Sequence, residues 1–173
     1  ETFTVVDRWV LSDPIEDGLG PLQFGFATDL INEEPGFFTG LFRMRDAAQH
    51  RELMGVARID LANRDVDFYA LGPSEPVGFA LAPGRRRAYG VWSEIGSYEF
   101  WTFDLEKRTL GRRQRVDGRP RMALDVSSNG RVLYISSAGN TIDYYDADSF
   151  DYLHTLTLDG DMTAGLFVMP PSR

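Results

Sequence analysis

Short runs in which apolar and polar residues alternate recur along most of the chain. Ile142 and Tyr144 alternate with Thr141 and Asp143, and similar period-two runs flank short polar turns elsewhere. A period of two predicts strands rather than helices. The clearest set covers 77–81, 88–92, 98–103 and 110–116. A second set follows at 121–126, 132–136, 141–145 and 153–158. An earlier, less regular set falls at 24–30, 37–42, 55–59 and 66–71. Its second connection, from Arg43 to Met54, reads as long and polar with room for a short helical turn. Residues 3–11 read as outer strand of a preceding set. Residues 164–169 read as a closing inner strand that Pro170 and Pro171 end, because proline cannot donate to a ladder.

These sets repeat. Ile59-Asp60-Leu61, Phe103-Asp104-Leu105 and Tyr145-Asp146-Ala147 mark one point in three successive units, spaced 44 and 42 residues apart. Ala88-Tyr89 and Leu133-Tyr134 mark another point, 45 apart, each following a turn: Pro83-Gly84 and Asn129-Gly130. Four short strands in a repeat of about 40–50 residues are the signature of propeller blades. The expected fold is therefore all-β: a partial β-propeller of about three four-stranded antiparallel blades with strands of incomplete blades at either end. The divisions fall at 1–20 (outer strand or strands of a preceding blade), 21–72, 73–117 and 118–159 (three blades), and 160–173 (inner strand of a closing blade). Three blades do not close a ring, so other chains are expected to complete it. The sequence begins at Glu1 rather than Met, which is expected of a processed product or a fragment.

Naming the strands of a blade a to d from the axis outward, the a–b and c–d turns are short, and the long connections fall at b–c and d–a. Those two sets share one face, which becomes the candidate functional face because loops on a rigid scaffold carry most binding residues. Trp92 and Glu94 are placed in a b–c loop, Arg119 and Arg121 in a d–a loop, and Asp161 and Met162 in the next d–a loop. These six are the candidate interface residues, since Trp and Arg are enriched where proteins meet. For Trp92, packing between blades is the competing reading. Trp101, inside a strand beside Phe103, reads as core.

Composition removes several classes. With 43% apolar and 25% charged residues the chain is globular rather than disordered. No apolar run approaches the roughly 18 residues of a membrane span. There is no cysteine, which excludes disulfides, thiolate metal sites and a cysteine nucleophile. The net charge of −8 is uneven: residues 85–121 carry net +5 and the remainder net −13. Nucleic acid is a poor match for such a chain, and a protein partner with complementary patches is a better one.

Individual clusters reduce to structural roles. Arg85-Arg86-Arg87 follows a hairpin turn and Arg112-Arg113-Gln114-Arg115 lies on an outermost strand, where charge guards an edge against pairing. Asp143, Asp146, Asp148 and Asp151 miss the calcium-loop spacing and read as an ordinary c–d turn. His50 and His154 stand far apart, one in a loop and one in a strand, with no ligand-like neighbours. No Gly-rich phosphate loop and no Gly-x-Ser-x-Gly elbow occurs. No catalytic, cofactor-binding or metal-binding residue is therefore assigned. A channel enzyme built on Asp29, Glu75 and Arg121 ranks below the binding readings, because three blades do not enclose a channel.

Leu53-Met54-Gly55, Ala88-Tyr89-Gly90-Val91, Thr102-Phe103-Asp104-Leu105, Tyr145-Asp146-Ala147-Asp148-Ser149-Phe150 and Asp159-Gly160-Asp161-Met162 together give the chain a family likeness. So does Phe42-Arg43-Met44-Arg45-Asp46 upstream. The chain resembles the C-terminal half of the seven-bladed propeller (β) subunit of quinohaemoprotein amine dehydrogenase. The resemblance implies a periplasmic, non-catalytic subunit. It would hold a small subunit bearing cysteine tryptophylquinone against a dihaem cytochrome c subunit for primary amine oxidation, with both cofactors in the partners. Arg119-Pro120-Arg121 departs from the Thr-Tyr-Tyr-like segment expected there. A propeller interaction module without redox partners needs only the repeat.

Overall fold

The computed structural model describes residues 4–5, 7–8, 17–25, 28–29, 32–162 and 165–169, and of 28–29 only the backbone. No helix occurs among the described residues. The first sheet comprises β1 (Gln23–Phe24), β3 (Phe37–Asp46), β4 (Arg51–Asp60) and β5 (Asp65–Pro73) in that order, with β2 (Thr28–Asp29) lying apart from it. The second comprises β6 (Phe79–Leu81), β7 (Arg87–Glu94), β8 (Ser97–Asp104) and β9 (Thr109–Val116), and β2 adds to its inner edge. The third is β10 (Ala123–Val126), β11 (Val132–Ser136), β12 (Gly139–Asp146) and β13 (Tyr152–Met162). Each is a four-stranded antiparallel meander, so the chain is a partial β-propeller.

The core lies in the seams between sheets. Met54 and Val56 of the first sheet pack with Phe79, Leu81, Ala88, Trp101 and Phe103 of the second. Ala80, Tyr89, Val91 and Phe100 on the other face of the second sheet pack with Val126, Leu133, Ile135 and Phe150 of the third. Ring contacts fix the second seam: Phe100 lies 4.9 Å from Tyr145 and 5.5 Å from Phe150, edge to face. Burying one such side chain is worth about 1.5–3 kcal/mol, so the seams contribute substantially to the stability of each blade. Trp101 is core, as expected.

The repeated aspartate has a physical reason. Asp60 Oδ1 accepts the backbone N–H groups of Ala62 and Asn63, and Asp104 Oδ1 accepts that of Lys107. Asp146 Oδ1 accepts those of Asp148 and Ser149. Each carboxylate therefore ties a c–d turn, the local side-chain bonding that makes Asp a turn residue. Four residues beyond each, Arg64, Arg108 and Phe150 adopt φ of 57°, 57° and 63°. In the acidic group at 143–151, Asp146 thus ties the turn, while Asp143 lies in β12 and accepts from Arg119.

Several expectations are corrected. The Arg43–Met54 connection is not long: alternation continues to the buried Asp46, and β3 and β4 pair over ten residues from Phe37↔Asp60 to Asp46↔Arg51. A four-residue turn closes them, because Asp46 accepts the Gln49 N–H and His50 takes φ 52°. The other b–c turns are short too, at 95–96 and 137–138. Trp92 and Glu94 accordingly lie in β7, not in a loop. A single inner strand over 24–30 is replaced by two short ones. β1 pairs with β3, whereas β2 runs parallel to β6 in the next sheet (Thr28↔Phe79), which is possible because inner strands of neighbouring blades point the same way. Asp161 and Met162 extend β13, where Met162 pairs with Gly139, and do not form a loop. Residues 165–169 form no strand, since no described strand lies beside them to supply a ladder, and Ala164 lies outside the described residues. Of the strand expected at 3–11, the described residues 4–5 and 7–8 are not in a strand and the others lie outside the description.

Candidate functional site: the seam cleft and the free blade face

On the d–a face, the connection between β5 and β6 borders a cleft of about 380 Å³ between the first and second sheets. Leu41, Met54, Val77 and Phe79 form apolar walls, and Arg43 and Glu75 are the ionisable groups lining it. The Ser74 N–H donates to the Glu52 carbonyl and the Gly78 N–H to the Val91 carbonyl, which pins the connection to both sheets. Gly90 permits this close approach. A Cβ there would meet Val77 Cγ1 at 2.6 Å and the Gly78 carbonyl oxygen at 2.8 Å.

Trp92 lies behind the cleft and holds its carboxylate. Its Nε1 donates to Glu75 Oε2 at 3.1 Å, and the ring packs on the seam cluster. Trp92 therefore packs between blades, the competing reading for it, and its indole N–H also fixes the carboxylate of the cleft. An apolar cleft with one carboxylate and one guanidinium suits recognition of an amphipathic group. Its described lining residues include no Ser, Cys or His.

The remaining candidates are dispersed. Arg119 donates through Nη2 to Thr141 Oγ1 at 2.8 Å and to Asp143 Oδ2 at 3.2 Å, on the third sheet. Arg121 is exposed with φ 62°, and Glu94 is exposed at the end of β7. Asp29 is placed by its backbone alone in β2. Among the described residues no hydrogen bond or ion pair joins the Trp92–Glu75 pair to Arg119.

Most of the basic clusters is spent on the scaffold. Arg86 pairs with Glu106 at 2.8 Å, and Arg87 reaches Asp148 of the third sheet at 3.0 Å. Arg113 donates to Glu99 Oε2 at 2.8 Å and stacks 4.2 Å from the Trp101 ring. Burial works to raise the Glu99 carboxyl, but the hydrogen bonds from Arg113 and Trp101 outweigh it and hold the group below its ordinary value.

The third sheet carries a face on which no other described strand packs. Tyr134, Tyr144 and His154 stand side by side across β11, β12 and β13. Tyr134 and Tyr144 meet edge to face at 4.9 Å, and His154 stacks on Tyr144 at 4.2 Å. Exposed Leu156, opposite Ile142, continues the row. The alternation of strand b places Tyr134 where Tyr89 stands one blade earlier, on the side turned to the following blade. The sequence marked both tyrosines but not what each one faces.

Sheets of this order, stacked face to face, define a β-propeller repeat, and comparison with solved structures agrees. The β-propeller domain of the trilobed protease from Pyrococcus furiosus, described as having an open velcro topology, superposes with a TM-score of 0.50 at 11% identity. The match covers 79% of this chain and 43% of that one. The Dos1 propeller (TM-score 0.48, 10% identity) is covered to 31% of its length by 69% of this chain. TolB from Acinetobacter baumannii (TM-score 0.42, 14% identity) is covered to 28% by 65% of this chain. The chain thus spans less than half the length of these structures. No family model matches the sequence, and no curated protein matches it.

Proposed function

We propose that this chain is a non-catalytic propeller segment that works inside a larger ring, with a further four-stranded blade seated on the Tyr134–Tyr144–His154 face. The observation that carries this is the repetition of one interface. The face of the second sheet bearing Tyr89, Val91 and Phe100 is buried by the third sheet, and the corresponding face of the third sheet has no described strand against it. A continuing ring supplies the missing partner in the geometry already used at that seam. The seam cleft on the d–a face, with Glu75 fixed by Trp92, is then the docking point for a partner protein's side chain.

The particular assembly we propose is a periplasmic complex like quinohaemoprotein amine dehydrogenase. The propeller would hold a subunit bearing cysteine tryptophylquinone against a dihaem cytochrome c subunit. The sequence resemblance supports this finer reading. The fold supports equally a propeller interaction module without redox partners.

Native mass determination of the protein from its source, with its associated chains, tests both levels. A companion carrying further blades is expected, together with a haem absorbance band and a small quinone-staining subunit. A companion without haem or quinone would leave the interaction module standing and remove the amine dehydrogenase reading. A stable monomer of this chain's mass would overturn the ring.

A further inference from the structure

Away from the cleft, next to the short a–b and c–d turns, the first and second sheets enclose a smaller cavity of about 160 Å³. Arg58, Arg85 and Arg108 line it together with Asp67, Tyr69 and Thr39. Its wall thus carries three guanidinium groups against one carboxylate. Two of the lining residues also hold buried donors with no hydrogen-bond partner: Arg58 through Nε and Tyr69 through its hydroxyl. Native proteins seldom leave such groups unsatisfied, and each one calls for an explanation such as a bound water or ion.

The arginines are held in place by contacts outside the cavity as well as within it. Arg58 Nη2 donates to Glu34 at 2.8 Å, and its guanidinium lies 4.2 Å from the centre of the Phe37 ring, while its buried Nε has no partner among the described residues. Arg108 donates to Asp67 at 2.6 Å and lies 5.3 Å from the Tyr69 ring centre. Among the described residues Arg85 pairs with Glu34 alone, at 3.7 Å. Glu33, whose side chain is 3% exposed, lies 4.0 Å from Arg58 and keeps one oxygen unpartnered, so acidic charge backs the arginines from behind. Burial raises the Tyr69 phenol to about 12, so at neutral pH it keeps its proton and can donate it.

A ligand that completes this cavity must accept hydrogen bonds, and the three guanidinium groups in the wall favour one that carries negative charge. Water meets the first requirement alone. An oxyanion meets both, and guanidinium groups are the side chains best matched to carboxylate and phosphate oxygens. We propose that the cavity between Arg58, Tyr69, Arg85 and Arg108 is a binding site for a small oxyanion, either free phosphate or a carboxylate presented by a ligand. The Asp67 carboxylate in the wall favours a singly charged form.

Thermal unfolding of the 173-residue chain in inorganic phosphate, in acetate, and in chloride at matched ionic strength tests this. Phosphate is expected to raise the midpoint saturably and beyond chloride. Acetate acting in place of phosphate would identify the carboxylate as the source. Tyr69→Phe removes only the hydroxyl, and Arg85→Gln alters a turn residue with little packing. Each is expected to weaken the apparent affinity roughly tenfold, while Arg86→Gln, outside the cavity, leaves it unchanged. No saturable effect of either anion beyond chloride, or an effect undiminished in both Tyr69→Phe and Arg85→Gln, would overturn the proposal.

Discussion

Tyr89 and Tyr134 stand 45 residues apart at the same point of successive sheets, each on the side turned to the following blade. Tyr89 is 2% exposed and lies edge to face with Phe150 at 6.4 Å across the seam. Tyr134 is half-buried, and among the described residues its ring contact is within its own sheet, to Tyr144. One repeated residue is thus core in one blade and boundary in the next.

That difference sets the first prediction. Tyr89→Ala leaves a cavity in the seam and is expected to cost about 3 kcal/mol, as for other large-to-small aromatic changes. Tyr134→Ala in the isolated chain should cost less than about 1 kcal/mol. Urea denaturation of both variants measures it, and equal losses would mean that Tyr134 is packed as fully as Tyr89.

Gly55 tests the bulged register of β4 and β5. A Cβ at this position would meet the Tyr69 carbonyl oxygen at 2.0 Å and Phe42 Cζ at 2.6 Å. Backbone cannot swing aside as a flexible side chain does. Gly55→Ala is expected to lower stability by roughly 1–3 kcal/mol or more. An unchanged denaturation midpoint would contradict the close approach.

The c–d turns predict an acid dependence. Hydrogen bonds from turn N–H groups hold the Asp60, Asp104 and Asp146 carboxyls below the ordinary aspartate value. A depressed folded-state pKa stabilises the fold above the unfolded value, and the contribution is lost as pH falls through the folded one. Stability should therefore decline below about pH 4. The decline should be shallower in Asp104→Asn, which keeps an acceptor oxygen but does not titrate. Midpoints measured between pH 2 and 6 in both proteins decide it.

Alkaline pH should act through Tyr69. Burial raises its phenol to about 12, so the unfolded chain releases this proton first. Stability tied to the neutral phenol is complete below about pH 10 and falls as pH rises toward 12. Tyr69→Phe should flatten the loss between pH 10 and 11.5, measured by denaturation at each pH. An identical slope in the two proteins would show that the phenol is solvated.

Much of this architecture is legible in the chain because a sheet repeats its chemistry locally. Asp60, Asp104 and Asp146 recur because each caps a turn made by its own next few residues, so spacing alone finds them. The alternation at 132–136 gives strand and bounds together. Arg43 to Met54 misled because Arg45, Gln49, His50 and Arg51 look like a polar loop. Phe42, Met44 and Asp46 are in fact the buried alternation of β3, and Leu53 and Met54 of β4 are buried on opposite faces, one in the first sheet's own cluster and one in the seam. Nothing local in Thr28–Asp29 indicates that it leaves its own sheet to pair with the next.

The sequence by itself determined the repeat, the strand period and the turn chemistry, since all of these rest on interactions between near neighbours. Only the tertiary structure decided that Trp92 meets Glu75, that Tyr89 is enclosed while Tyr134 faces outward, and that Arg58, Tyr69, Arg85 and Arg108 converge on one cavity. Those relations join side chains from different sheets or depend on which sheet follows. Their geometry is fixed by how blades stack, which no spacing along the chain encodes.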